Sequence, residues 1–397
     1  MERLNQTRAH TGTNPFVNAS GTDIFTFNIP DNEAFERAEI DIIRPIHGGA
    51  RIADRPVNFD SGPGKRIVVS WWIDGGVGSI EYRIRASTIP MTAATRRVVR
   101  LMQNITDGTC GVYLKQVGGL VRVAFNESKK FEPASTLKVL HLYHTFSEIE
   151  RGASALNEMV TIPGGDFCRV AEDDDPYTRE TMQETLRRMM RNSDNSATEA
   201  IRRRFGRAAI RATAAALGMA DTELKHNLGC GWAPDMGGHN WTTLADLGRL
   251  YEKVASGNPF PNNQAAFNDT IQNWVFGEWT AMVDEEALAL EAELPGRLTA
   301  AEIQTFKNGM KGYFKPGGYT GADQDAAGRA IWGVYQSLAG LLVLPFRGSG
   351  GTIGSRQFCH GVYVSNGSNE SDCGTARVIG TKEVVREEIR SALKTFQ

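Results

Sequence analysis

Two residues whose side chains could take part in catalysis, Ser135 and Lys138, lie at the start of an apolar stretch that follows Pro133. A spacing of three places two side chains on one face of a helix, within mutual reach. A serine hydroxyl is a weak nucleophile until a base removes its proton, and lysine can be that base if burial or nearby cations lower its pKa. A helix N-terminus would also offer N–H groups to a developing oxyanion. The pair predicts an acyl-transfer site; the alternative is an N-cap serine beside a solvated lysine.

A second polar group, Ser193-Asp194-Asn195, lies in a break between two helical runs. At average composition this tripeptide arises by chance in about one chain in twenty of this length. Ser193 could relay a proton between Lys138 and a leaving group, and Asn195 could bind a substrate amide. The same residue types also favour a turn or a helix cap. The presence of both groups in one chain favours the catalytic interpretation.

A third element should be a lysine on a strand, followed by glycine so that substrate can lie against the backbone. Two matches occur, Lys307-Asn-Gly309 and Lys315-Pro-Gly317. The first follows a predicted helix over residues 299–306 and is typical of a helix end with a glycine stop. The second lies where a strand could run into a glycine turn. We prefer Lys315, and Lys307 stays open.

The first part of the chain is rich in short β runs that are separated by turns, over residues 23–87. A glycine-rich stretch at 75–78 joins two of these runs and predicts a hairpin. The spacing suits a small sandwich, so we predict a separate β-rich accessory domain over residues 1–90. Trp71 and Trp72 could mark a glycan-binding or protein-binding face, although packing in a core is favoured.

The remaining chain, residues 91–397, alternates between helical and strand-like periodicity. Strands at both ends with helices between them imply a sheet whose two halves meet in space. Helices are predicted over residues 92–105, 131–147, 180–204 with a break at 192–196, 208–217, 243–255, 265–306 and 381–394, and strands over 111–116, 120–125, 313–346 and 361–365.

These motifs in this order resemble the class A β-lactamase and penicillin-binding family, whose signature combines S-x-x-K, S-D-N and K-T-G. The resemblance covers about residues 91–397 and extends beyond the motifs to the helices around them, at 184–198, 215–224 and 242–250. It implies an α/β (α+β) fold in which an antiparallel sheet is flanked by helices and accompanied by an all-helical subdomain. Here a small N-terminal β-sandwich-like domain precedes that fold.

The resemblance also implies a role for each polar residue. Ser135 would be the acylated nucleophile and Lys138 a general base. Ser193 would be the proton relay, and Asn195 a substrate contact. The backbone N–H of Ser135 would supply one half of the oxyanion hole.

The lysine-glycine motif would bind substrate on the other side. Lys315 would bind the substrate carboxylate, Gly317 would let substrate approach the backbone, and the N–H of Gly318 would complete the oxyanion hole. Pro316 takes the threonine position of K-T-G and offers neither a hydroxyl nor an N–H. Carboxylate recognition must therefore differ from the family pattern.

The active-site loop departs from the family as well. In the family, a glutamate of this loop activates the deacylating water. The corresponding stretch of this chain, residues 226–240, contains no glutamate. Asp235 or His239 could substitute, although an aspartate beside proline is more typical of a turn. Turnover of β-lactams by the usual route is therefore in question.

The leading hypothesis is a serine hydrolase that cleaves a β-lactam or a related amide or ester through an acyl-Ser135 intermediate. An alternative is a penicillin-binding or D-Ala-D-Ala-type peptidase with slow deacylation. A third hypothesis is a non-catalytic binding module on this scaffold, in which the N-terminal β-domain recognises a glycan or a protein.

Composition limits the other classes. A formal net charge of −2 with 23% charged residues gives no reason to expect nucleic acid or membrane as a partner, so we expect a small molecule or peptide. Five cysteines without a CxxC pair leave at least one free thiol. The N-terminal residues are polar and lack the apolar stretch of a signal peptide, and no membrane span is evident. The compartment stays open.

We predict no metal and no cofactor. His141 and His144 have a spacing that could ligate a metal, but no third ligand is near them in sequence, and packed histidines are favoured. The arginine-rich stretch 202–207 is offset by the acidic stretch 172–175, which favours a solvated helix face.

Overall fold

The computed structural model describes residues 4–14, 18–27, 33–52, 57–59, 65–164, 177–230, 239–271, 276–293, 295–296, 298–324, 330–348 and 351–396. The chain divides into two compact units. The first comprises Met1–Cys110, Thr320–Val334 and Val364–Ala376, and the second comprises Gly111–Tyr319, Tyr335–Tyr363 and Arg377–Gln397. The predicted domain boundary at residue 90 stays a prediction.

The first unit is built around one long strand, β5, to which four others pair antiparallel. Residues of β5 pair with β1 or β2 on one edge and with β3 or β4 on the other. Alternate side chains of the sheet are buried together and include Phe25, Ile67 and Tyr82. The strands are β1 (Leu4–Thr13), β2 (Ala19–Phe27), β3 (Glu33–Ile52), β4 (Val57–Phe59) and β5 (Lys65–Pro90).

The hairpin predicted at residues 75–78 is wrong, because β5 runs through this stretch without reversing. Gly75 and Gly76 have φ of 62° and 63°, a left-handed conformation that glycine adopts without steric cost. Val77 pairs with β1 and Ile73 pairs with β2, so partner strands hold β5 on both sides of the glycines. The glycines therefore bend one strand, as in a β-bulge.

Most of the second unit's strands belong to a five-stranded sheet in the order β10-β11-β12-β6-β7. The late strand β12 lies beside the early strand β6, so the expectation that the two ends of the sequence meet in one sheet is confirmed. A separate hairpin of β8 and β9 was not predicted. The strands are β6 (Thr109–Gln116), β7 (Val121–Phe125), β8 (Met159–Pro163), β9 (Tyr177–Thr181), β10 (Lys311–Gln324), β11 (Ala330–Arg347) and β12 (Ile353–Gly367).

The helices lie at or near the predicted positions, but several extend beyond the predicted bounds: the second ends at Glu150 rather than at 147, and the tenth begins at Glu370, before the predicted start at 381. The run predicted over 265–306 is three helices, because Pro295-Gly296 follows one and a capping box at Thr299 starts the next. The last predicted helix is two. The helices are α1 (Ala93–Gln103), α2 (Lys138–Glu150), α3 (Met182–Arg191), α4 (Asn195–Phe205), α5 (Arg207–Ala216), α6 (Leu244–Gly257), α7 (Gln264–Thr270), α8 (Gly277–Glu293), α9 (Ala300–Gly309), α10 (Glu370–Glu383) and α11 (Arg386–Leu393).

Helix α2 lies at the centre of the second unit. All of its residues from Lys138 to Phe146 are buried, which is the pattern of a helix covered on every side. Its apolar side chains share one core with those of α3, α4 and α6. A site at the N-terminus of α2 therefore stands on a rigid support.

Three free cysteines, Cys110, Cys359 and Cys373, are buried, which confirms the expectation of at least one free thiol. Cys230 is disulfide-bonded. Within the described residues, every helix is too short or too polar to cross a membrane.

Candidate active site

Ser135 lies in a single 3-10 turn, Ala134–Leu137, that leads directly into α2. Ala134 has a φ of 47°, an uncommon conformation for a residue with a side chain. Behind the turn, the Thr136 hydroxyl donates to the carbonyl of Pro133 over 2.6 Å and lies 2.7 Å from the Tyr363 hydroxyl. These bonds fix the backbone of the turn, and the half-buried Ser135 is presented at its surface.

The ammonium of Lys138 is fully buried and bonded to the S-D-N segment. It donates to the backbone carbonyl of Ser193 over 2.5 Å and to Oδ1 of Asn195 over 2.6 Å, and it lies 3.3 Å from the Ser193 hydroxyl. The structure thus brings these three predicted residues together around one nitrogen. In this state Lys138 bonds to the S-D-N segment, and Ser135 lies one turn before it.

Two buried lysines, Lys138 and Lys315, lie close enough for the charge of Lys315 to act on Lys138. Burial, and then the charge of Lys315, lower the pKa of Lys138 to about 7. Burial lowers the pKa of Lys315 to about 8. A lysine with a pKa near 7 is partly neutral at physiological pH and can accept a proton.

The S-D-N segment is held in place by its own polar groups. Asp194 caps α4 by accepting from the N–H of Ala197 over 2.9 Å, and it pairs with Arg188 over 2.6 Å. Burial opposes this ionisation, but the hydrogen bonds and Arg188 leave the pKa of Asp194 below its usual value. Ser193 has a φ of 57°, which breaks the helical run and turns its carbonyl toward Lys138. The cap and the catalytic interpretations therefore apply to different residues of one tripeptide.

Of the two candidate lysines, the structure brings Lys315 to the site. It lies on β10, is 2% exposed, and is close enough for its charge to act on Lys138. Lys307 lies near the end of α9 and pairs with Asp284 on α8 over 2.5 Å. The helix-end interpretation of Lys307 agrees with this position.

The two glycines after Lys315 pack closely, Gly317 against the turn of Ser135 and Gly318 against the side chain of Gln336. A Cβ on Gly317 would lie 2.6 Å from the backbone nitrogen of Ser135 and 2.7 Å from the Ser337 hydroxyl. A Cβ on Gly318 would lie 2.9 Å from the Gln336 side-chain amide. Only glycine fits at these two approaches without displacing a neighbour, so the backbone of β10 and the turn of Ser135 are in close contact.

The structure describes the two ends of the loop over residues 226–240, and Asp235 lies outside the described residues. Gly229 has a φ of 90°, and a Cβ there would lie 2.3 Å from Cγ of Asn195. His239 is buried, and its Nδ1 lies 3.5 Å from Oε2 of Glu132. The ring of His239 also packs near that of Tyr335, with 5.7 Å between centroids.

Sequence reasoning missed two buried polar residues near this loop, Glu132 and His226. Their signal was weak, because neither has a motif spacing and neither follows a recognisable strand end. Only the fold shows that both lie beside His239.

The remaining candidates have structural partners. His141 and His144 are buried on α2, where His141 lies against the carbonyl of Leu137 and His144 bonds to the Thr213 hydroxyl. In the N-terminal unit, Trp71 stacks on His10 with 3.9 Å between ring centroids.

A family model and several solved structures are similar to this chain. The model of the β-lactamase enzyme family matches residues 93–273. A β-lactamase of Sphaerobacter thermophilus shares 17% identity and a TM-score of 0.53, over 74% of this chain and 96% of that one. The extended-spectrum β-lactamase TLA-1 shares 15% identity and a TM-score of 0.52, over 75% of this chain and 98% of that one. The protein PBP-A shares 19% identity and a TM-score of 0.52, over 75% of this chain and 96% of that one. No curated protein matches the chain's sequence significantly.

The predicted resemblance to the class A β-lactamase and penicillin-binding superfamily is confirmed by the family match and the solved structures. The predicted fold class is confirmed as well: a mixed α/β fold of the β-lactamase type with a small N-terminal β unit. At identities of 15–19%, the solved structures show the fold alone. The chemistry has to be argued from the residues of the site.

Proposed function

We propose that this chain is a serine hydrolase that cleaves a β-lactam, or a related amide or ester, through an acyl-Ser135 intermediate. The single observation that carries the proposal is the buried Lys138 ammonium, which lies one helical turn after Ser135 with a pKa of about 7. A structural lysine is normally exposed and charged. A buried lysine with two short bonds to an S-D-N segment is instead positioned as a base.

The proposed chemistry divides into two acyl transfers. The Ser135 oxygen attacks the substrate carbonyl carbon while neutral Lys138 takes the hydroxyl proton. Ser193, 3.3 Å from the Lys138 nitrogen, relays that proton to the leaving nitrogen or oxygen as the scissile bond breaks. Water then attacks the ester of Ser135 and releases the acid.

Charge stabilisation would come from the backbone and from Lys315. The N–H groups of Ser135 and Gly318 would donate to the oxyanion, since the backbone after Lys315 approaches the turn of Ser135 closely. The Lys315 ammonium would bind the substrate carboxylate as a point charge. Pro316 removes the hydroxyl that the family places beside it, so Lys315 carries more of this recognition.

Similar proteins support acylation in this fold. A variant of PBP-A whose structure is that of an acyl-enzyme complex with penicillin G shares 18% identity with this chain and a TM-score of 0.52, and the alignment covers 96% of that protein. We carry over only the class of reaction, an ester between a serine and a β-lactam carbonyl.

A second candidate, a penicillin-binding or D-Ala-D-Ala-type peptidase with slow deacylation, is favoured by one observation. Residues 226–240 contain no glutamate to activate the deacylating water. Acylation at Ser135 would then be followed by a long-lived ester.

Intact-protein mass spectrometry after incubation with penicillin G and with a fluorophosphonate tests the proposal. We expect one adduct on the wild type and on Ser147→Ala, which changes a serine of the following helix α2 whose hydroxyl bonds to the Tyr143 carbonyl. Ser135→Ala should lose the adduct, with acylation slowed by on the order of 10⁴ or more. An unlabelled wild-type protein with a native circular dichroism spectrum would contradict the proposal.

Burst kinetics with nitrocefin separate the two candidates. Sustained turnover that disappears in Ser135→Ala supports the hydrolase. A stoichiometric burst followed by negligible turnover supports the slow peptidase.

A further inference from the structure

A cluster of three buried ionisable side chains lies outside the acylation machinery. Glu132 precedes the turn of Ser135, whereas His226 and His239 come from the two ends of the opposite loop. All three are at most 7% exposed. One ligand atom from each lies within 4.8 Å of the others. Glu132 is 94 and 107 positions before the two histidines in sequence, yet the fold brings one oxygen and two nitrogens of these residues together.

The hydrogen bonding of the cluster is incomplete in the part of the chain that the structure describes. Oε1 of Glu132 accepts from the N–H of Ala134 over 3.2 Å, but Oε2 is buried without a hydrogen bond and lies 3.5 Å from Nδ1 of His239. Nε2 of His226 is also buried without a hydrogen bond. Buried polar atoms are normally paired, because leaving one unpaired costs about 1–3 kcal/mol. Two such atoms in one cluster of possible metal-ligating side chains point to ligand binding.

The ring of His226 is oriented for ligation. Its Nδ1 lies 3.0 Å from the carbonyl of Asn227, so Nδ1 carries the proton and donates it there. The lone pair is then on Nε2, the buried atom that has no hydrogen bond. Histidines that bind metals usually donate their second N–H to a carbonyl or carboxylate in this way.

We propose that Glu132, His226 and His239 bind a divalent transition-metal ion, with Zn²⁺ the best fit. Two imidazoles and one carboxylate are a known zinc ligand set that leaves a fourth position for water. Bond lengths of about 2.0–2.1 Å place the ligand atoms of a tetrahedral site about 3.4 Å apart. The 3.5 Å between Glu132 Oε2 and His239 Nδ1 matches this, and the 4.8 Å limit of the cluster requires only a small contraction.

This assignment differs from the sequence-based expectation of no metal. That expectation considered only His141 and His144, which are close in sequence. The proposed ion would connect positions 226 and 239 to the segment that leads into Ser135, and it does not depend on the proposed acylation.

Zinc binding to the purified full chain, stripped with a chelator and freed of any histidine tag, tests the site. Equilibrium dialysis against Zn²⁺ alone should give one zinc per chain at micromolar concentrations, and Co²⁺ should give an intense visible absorption band. The same binding is expected for Ser135→Ala, which separates a failure of this site from a failure of the proposed function.

Three variants and one control complete the test. Glu132→Gln, His226→Gln and His239→Gln should each weaken zinc binding by at least about tenfold. His47→Gln, which changes an exposed histidine on β3, should leave it unchanged. Near-ultraviolet circular dichroism of the zinc-free variants checks that each is folded. Absence of stoichiometric zinc binding, or equal binding by the folded ligand variants, would overturn the proposal.

Discussion

Two buried ionisable side chains flank Ser135 at equal distances in sequence, Glu132 three residues before it and Lys138 three residues after it. Lys138 has three oxygens within 3.3 Å of its nitrogen. Glu132 has one backbone N–H on one oxygen, and its other oxygen has no hydrogen bond among the described residues. The two side chains are thus both buried but differ in how many hydrogen bonds they form. Lys138 is therefore held by bonds within the chain, whereas Glu132 keeps an oxygen that the proposed metal ion would bind.

The largest effect should come from removing the base. Lys138→Met should lower the acylation rate by on the order of 10²–10⁴, because it removes the base that we propose for the Ser135 proton. Lys307→Met, which breaks only an ion pair to Asp284, is the matched control. Stopped-flow acylation by nitrocefin measures both.

The pH profile of the wild type sharpens this prediction. Since only neutral Lys138 accepts a proton, the acylation rate should be low at acid pH, rise through pH 7 and reach a plateau above it. A profile that is flat between pH 5 and 9, or a Lys138→Met variant within a few-fold of wild type, contradicts the role of Lys138.

The same pKa predicts how stability varies with pH. The pKa of Lys138 is about 7 in the folded chain and near its ordinary value of 10.5 when unfolded, so the unfolded state binds more protons between these values. The penalty is therefore fully present below pH 7 and disappears as pH rises toward 10.5. Its upper limit is about 5 kcal/mol.

Urea denaturation of wild type and Lys138→Met at pH 6, 8 and 10 measures this effect. The wild type should gain stability relative to the variant as pH rises. Parallel curves for the two proteins would mean that Lys138 is not destabilised by burial.

A smaller effect should follow from Gly229→Ala. The new Cβ would meet the Asn195 side chain at 2.3 Å and would also occupy a left-handed backbone conformation. We expect about 1–3 kcal/mol of destabilisation and about a tenfold slower acylation, because Asn195 must move away from Lys138.

Gly118→Ala separates the two causes. Gly118 has a φ of 67°, but a Cβ there would meet nothing within 4 Å. It should cost only the backbone strain and leave acylation unchanged. Equal losses of acylation in both variants would show that contact with Asn195 is not the reason.

The smallest effect is expected for Glu132→Gln in zinc-free protein. Glutamine keeps an acceptor for the N–H of Ala134 and removes a buried charge whose other oxygen has no hydrogen bond. The free energy of unfolding should change by less than about 1 kcal/mol. A loss above about 3 kcal/mol would mean that Glu132 and His239 already form a satisfied ion pair, and the contrast with Lys138 would fail.

The sequence was informative where the chemistry is local. Ser135 and Lys138 are one helical turn apart, and the S-D-N tripeptide is contiguous, so spacing alone predicted that their side chains could cooperate. The order of helices and strands predicted the sheet in which β12 lies beside β6, because both segments contain short apolar runs that are typical of buried strands.

The sequence was uninformative where contacts are long-range or where glycine has two interpretations. Glu132, His226 and His239 meet only because the fold brings two loop ends to the turn of Ser135. Gly75 and Gly76 satisfy the local requirements of a hairpin and of a bend equally well. Only the pairing of β5 with β1 and β2 decides for the bend.

The bonds of Lys138 to the S-D-N segment have a further consequence when hydrogens are counted. A neutral amine has two N–H groups and one lone pair. The carbonyl of Ser193 and Oδ1 of Asn195, at 2.5 and 2.6 Å, accept the two N–H groups. The single lone pair of the neutral amine then remains to accept one hydrogen bond, and the Ser193 hydroxyl, 3.3 Å away, lies within reach of it.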